Sequence, residues 1–146
     1  MADRYDYRNA VLEDVKQYIE DECDPEEMKE LGRDRFEQEL YDTLWCHDSV
    51  TGNGSGSYTF NTWQAEENLA HNWSLMVEAA EEFGMEEPVI DDGWRYGPEY
   101  WDVTIRCYLL AEAIARALDD CEAEGLFDEE AQKTIETCEN VLYNRV

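Results

Sequence analysis

Between Arg35 and Arg95 the chain carries no lysine or arginine, while the same stretch holds 13 acidic residues from Glu37 to Asp92. That half of the chain has no internal neutralisation. Over the full 146 residues, 37 Asp and Glu stand against 11 Lys and Arg, a formal net charge of −26. Self-repulsion on this scale opposes compaction, and solubility alone needs only about 2 to 8 net charges on a small domain. Something other than folding therefore selects the charge. Nucleic acid and anionic membranes are disfavoured as direct partners. The acid excess does not describe a disordered tail, because 43% of residues are hydrophobic and 12% aromatic, with tryptophans at 45, 63, 73, 94 and 101. One domain over 1–146 can bury roughly two thirds of the unfolded surface.

Periodicity predicts helices. Val11, Leu12, Val15, Tyr18 and Ile19 recur at helical spacing within about Tyr7 to Glu22 and leave an acidic outer face. Asp24-Pro25-Glu26-Glu27 reads as a helix start, with a capping carboxylate followed by proline at the first helical position. Gly32 ends that short helix, and Asp34 caps another through Phe36, Leu40, Tyr41 and Leu44, one kinked helix being the alternative. Thr51 to Ser57 reads as a flexible Gly/Ser loop, and Tyr58-Thr59-Phe60 as a brief extended piece able to pair back as a hairpin. Asn61 with Gln64 forms a capping box, after which Trp63, Leu69, Ala70, Trp73, Met76, Val77, Ala80 and Phe83 trace the expected central core helix. Met85 to Pro98 reads as a surface loop. From Glu99, Trp101, Thr104, Cys107, Tyr108, Ala111, Ile114, Ala115 and Leu118 predict a long, alanine-rich helix. Asp128 caps a last helix that turns Ala131, Ile135, Cys138, Val141 and Leu142 inward. The expected fold is mainly α, a compact bundle of about five helices with one Gly/Ser-rich loop and room for a short β-hairpin.

Catalytic patterns are weak. The Gly/Ser loop precedes a helix as phosphate-binding loops do, but no lysine follows the glycines. Glu66-Glu67, Glu81-Glu82 and Glu86-Glu87 lack the Glu-x-x-His repeats of a di-metal bundle. Five cysteines without a CxxC pair read as reduced, partly buried thiols, and a zinc site from Cys46, His47 and His71 lacks an evident fourth ligand. With two histidines and no Ser/His/Asp pattern, the expectation is a non-enzyme without cofactor or metal. No apolar run approaches the roughly 20 residues of a membrane span, so a cytoplasmic protein is expected.

The acidic surface remains. A globule of this mass exposes on the order of 8,000 Å², so an even spread gives about one net charge per 300 Å². Duplex DNA carries about one per 100 Å². Concentrating the charge on half the surface brings the density within a factor of about two of DNA, which makes mimicry physically credible. Three runs are candidates: Glu20, Asp21, Glu22, Asp24, Glu26 and Glu27; Glu81, Glu82, Glu86, Glu87, Asp91 and Asp92; and Asp119, Asp120, Glu122 and Glu124, continued by Asp128, Glu129 and Glu130. Carboxylates at helix ends offer bidentate acceptors to the Arg and Lys that grip phosphate.

The run DSVTGNGSGSYTFNTW from Asp48 to Trp63, then Ala65-Glu66-Glu67-Asn68-Leu69 and His71-Asn72-Trp73, resembles small acidic proteins of phages and mobile elements in gut bacteria. So does Asp102 to Leu110. No activity transfers with the resemblance. It implies a setting in which an inhibitor of host defence is expected, an anti-CRISPR or anti-restriction protein that acts as a DNA mimic on a basic nucleic-acid-binding complex, most of all a CRISPR effector. The alternative is a regulatory adaptor that docks a protein through Tyr58, Phe60, Trp94, Tyr96 and Tyr100.

Overall fold

The computed structural model describes residues 5–54, 62–89 and 97–125. Among these, six helices form a compact bundle: α1 (Tyr7–Glu22), α2 (Pro25–Leu31), α3 (Arg33–Leu44), α4 (Thr62–His71), α5 (Trp73–Glu82) and α6 (Pro98–Ala123). The expected hairpin at Tyr58 to Phe60 and the expected last helix after Asp128 lie outside the described residues.

The central element is α6, which packs against α1, α3, α4 and α5, while α2 packs on α3. It buries Trp101, Ile105, Leu109, Leu110, Ala113, Ile114, Ala117 and Leu118. Tyr7 meets Asp102 and Lys16 meets Asp120, so residue numbers rise together and α1 runs parallel to α6. Arg33 at the start of α3 meets Asp119 and Glu122 near the end of α6, so α3 runs antiparallel. One pole of the bundle therefore gathers the end of α1, all of α2, the start of α3 and the end of α6.

Local chemistry explains the first boundaries. Asp6 caps α1 by accepting the Asn9 amide at 3.2 Å, and Asp24 caps α2 by accepting the Glu26 amide at 3.0 Å. Gly32, not Asp34, joins α2 to α3, at φ 82° and ψ 161°. That region of backbone space is essentially restricted to glycine. A Cβ built at Gly32 would meet nothing within 4 Å. Gly32→Ala is therefore expected to lower stability by about 1 to 3 kcal/mol through backbone strain alone, measurable as a shift in the urea midpoint.

The expected central core helix is two helices. Asn72 donates its side-chain amide to the Asn68 carbonyl at 2.8 Å and to the Tyr5 carbonyl at 2.7 Å. Its backbone amide turns to Leu69 instead, at 3.0 Å, and its φ and ψ of −126° and 36° leave the helix. The side chain thus takes the carbonyl that the helical backbone needs. Trp63, Trp73 and Phe83 are exposed, Trp63 at 70%, although the sequence pattern placed them inward: a single apolar stripe drawn through Asn72 does not hold across two helices.

The first half of the Gly/Ser loop is also built rather than flexible. The His47 carbonyl accepts the amides of Val50, Thr51 and Gly52, and the buried Thr51 hydroxyl donates within a cage of Leu44, Trp45 and His47 carbonyls. Gly54 passes so close that a Cβ there would lie 2.3 Å from the Cys46 carbonyl oxygen. Residues 55–57 lie outside the described segments.

Candidate functional site

The fold brings two of the three acidic runs together. Glu20, Asp21 and Glu22 close α1, Asp24, Glu26 and Glu27 open α2, and Asp119, Asp120, Glu122 and Glu124 close α6, all at the same pole. The six carboxylates of the first run are exposed. Glu81 and Glu82 lie elsewhere, at the end of α5, where the adjoining Phe83 stacks edge-on with Trp45 beyond the far end of α3. A helix of that length separates the two sites by roughly 16 Å along its axis. Glu86 and Glu87 follow on exposed backbone, and Asp91 and Asp92 lie outside the described residues.

Three carboxylates of the third run work inside the molecule. Lys16 pairs with Asp120 at 2.6 Å, and Arg33 pairs with Asp119 at 2.7 Å and Glu122 at 2.8 Å while donating to the Ala115 carbonyl. Arg8 similarly joins α1 to Glu112 at 2.6 Å and reaches Glu78 of α5. Arg8, Lys16 and Arg33 thus sit in the seams between helices, where each solvent-exposed pair contributes at most about 1 kcal/mol. Among the described residues, no cation pairs with Glu20, Glu22, Glu26, Glu27 or Glu124.

Helix electrostatics sharpens the point. Cations are favoured in the last turn of a helix, where carbonyl dipoles leave partial negative charge, and acids there are disfavoured by about 0.3 to 1 kcal/mol each. Neither α1 nor α6 has a basic residue in its last turn. Both end instead in acids, side by side.

One cluster escaped sequence reasoning. Arg106, 1% exposed, lies inside the bundle between Asp14 at 3.0 Å, Asp102 at 3.4 Å, the Tyr5 hydroxyl at 2.7 Å and the Val50 carbonyl at 3.3 Å. Tyr7 donates its hydroxyl to the other Asp102 oxygen. Burial pushes the Asp102 carboxyl above the usual carboxylate range, against the opposing pull of Arg106. The cluster ties the start of α1, the turn at Val50 and the middle of α6 into one unit. Its signal in the sequence was Asp102 and Arg106, four apart on the apolar face of an otherwise core helix.

Burial makes the interior sensitive to alkali. It pushes the Cys107 thiol up to about 12 and the Tyr7 phenol far above its ordinary value, with Asp102 adding to the latter. Groups with raised folded values stabilise fully below their unfolded values, about 8.5 for a thiol and 10 for a phenol. That contribution is lost as pH rises toward the folded values. Stability is expected to fall by roughly 1.4 kcal/mol per pH unit for each such group, from about pH 8.5 upward for the thiol and from about pH 10 upward for the phenol. Urea midpoints across pH check this, and Cys107→Ala is expected to flatten the onset.

Among the described residues, no group of three or more His, Cys, Asp or Glu side chains is arranged to hold a metal, and no helix is long and apolar enough to cross a membrane. No family model, curated protein or solved structure matches the chain.

Proposed function

We propose that the protein acts by binding, not catalysis, as a phage or mobile-element inhibitor of host defence whose acidic pole occupies the basic DNA or RNA channel of a complex of the CRISPR-effector type. The observation that carries this reading is the pairing of two acid-ended helices at one pole, against the preference of their own dipoles. Asp119, Asp120 and Glu122 serve the fold through Lys16 and Arg33, but the charge of Glu20, Glu22 and Glu124, held where it costs local stability and paired with no cation among the described residues, has a use outside the fold. The exposed carboxylates of Glu20, Glu22, Glu26, Glu27 and Glu124 present the acceptors that Arg and Lys seek on phosphate. The resemblance of Asp48 to Trp73 and Asp102 to Leu110 to phage and mobile-element proteins supports the setting.

The test is retrieval of partners from bacterial lysate by the tagged chain at low and high salt. A nucleic-acid-binding complex that is released at high salt and displaced by competing DNA is the expected result. A partner held equally well at high salt overturns the reading in favour of an aromatic adaptor. That second reading has its own observation, the solvent-facing Trp63 and the 46% exposed Tyr100. Tyr58, Phe60, Trp94 and Tyr96 lie outside the described residues.

A further inference from the structure

The acidic pole is not uniformly polar. Between α1, α2 and the end of α6 lies an open groove of about 600 Å³, floored by Ile19, Cys23, Met28, Ala117 and Cys121. That volume falls within the roughly 300 to 1,000 Å³ typical of ligand sites. Met28 and Ala117 belong to the core, while Ile19, Cys23 and Cys121 are only partly covered. The rim carries Glu20, Glu124 and Asp120, the last tied to Lys16. Burial, reinforced by neighbouring carboxylates, pushes both groove thiols up, Cys23 to about 11.

An apolar floor rimmed by Glu20, Glu124 and the Lys16–Asp120 pair, where α1 and α6 present their negative ends, selects against anions and is wider than a single ammonium requires. Its complement is an aliphatic side chain flanked by cations. Amphipathic helices present that arrangement at spacings of three and four residues. We propose that the groove seats an amphipathic basic helix of the partner protein, with aliphatic side chains on Ile19, Cys23 and Cys121 and Arg or Lys against Glu20 and Glu124. The inference rests on the acidic-pole reading and narrows it, because recognition then requires an apolar stripe as well as positive charge. The chain's own residues after Gly125 open with the apolar Leu126 and Phe127 and continue with Asp128, Glu129 and Glu130, three acids of the wrong sign for this rim.

The probe is a synthetic Leu/Arg peptide with its leucines on one helical face, compared with a scramble of identical composition. Calorimetry at low salt gives affinity, and alkylation of the full chain, mapped by mass spectrometry, reports occupancy of the groove. The amphipathic peptide is expected to bind at least about tenfold more tightly than the scramble. It is expected to slow alkylation of Cys23 and Cys121 while leaving Cys46, exposed and outside the groove, unchanged. Ala123→Trp, which fills the groove from an exposed position, is expected to erase the difference between peptides with helical circular dichroism retained. Equal binding of both peptides without thiol protection overturns the groove and leaves the acidic pole standing. No binding of either peptide at low salt overturns both. Protection of Cys23 and Cys121 already present in the unliganded chain, and relieved by Ile135→Asp with Leu142→Asp, gives the groove to the chain's own C-terminal segment and overturns the proposal.

Discussion

Replacing Arg106 with leucine is expected to destabilise the protein by about 3 to 5 kcal/mol, the usual effect of removing one partner from a buried ion pair. The guanidinium contacts Asp14, Asp102, the Tyr5 hydroxyl and the Val50 carbonyl from a position 1% exposed. Without it, the Asp102 carboxyl stays buried with the Tyr7 hydroxyl as its remaining hydrogen-bond partner among the described residues, and the turn at Val50 loses its tie to α6. Since domains of this kind have only about 5 to 15 kcal/mol in total, the variant should unfold at low urea, followed by tryptophan fluorescence. Arg106→Leu combined with Asp102→Leu should recover part of the loss, because a buried pair exchanged for apolar groups is often nearly neutral. Equal stability of the single variant and the wild type would show that water, not Arg106, satisfies this cluster.

The triple variant Glu20→Lys, Asp21→Lys and Glu22→Lys should move binding and stability in opposite directions. It places cations where the α1 dipole favours them, so stability is expected to rise by about 0.3 to 1 kcal/mol per site. Association with the basic complex should slow about 10- to 1,000-fold at low salt, the range over which electrostatic steering acts. Surface plasmon resonance gives the on-rate and thermal unfolding the stability. Reversing Glu81, Glu82 and Glu87 alters net charge equally but leaves the acidic pole intact, and it should affect the on-rate less. Equal slowing by both variants would assign recognition to total charge and remove the pole from the argument.

Much of this molecule was legible where local chemistry decides structure. The ends of α1 and α2 follow from apolar spacing and from Asp24-Pro25, and the long final described helix from its alanine-rich stripe. What escaped depends on competition between side chain and backbone. Asn72 is an ordinary surface residue by composition, and only its bonds to Asn68 and Tyr5 break the helix that periodicity drew through it. Thr51 and Gly54 sit in a stretch whose composition says flexible, yet a single carbonyl cage folds it tightly. Of the acidic runs, the residues were readable but their meeting was not, because α1 and α6 are the first and last of the described helices. The Arg106 cluster joins residues 92 and 101 positions apart, beyond any local pattern.

The parallel pairing of α1 with α6 also sets a timetable. Their contacts span 92 to 104 residues, with four other described helices between. At ordinary synthesis speeds of about 5 to 20 residues per second, the first helix waits roughly 5 to 20 seconds before its mate leaves the ribosome. Through that interval Val11, Leu12 and Val15 have no core to enter. Exposed apolar faces of this kind favour association between nascent chains, and the repulsion between strongly anionic chains opposes it.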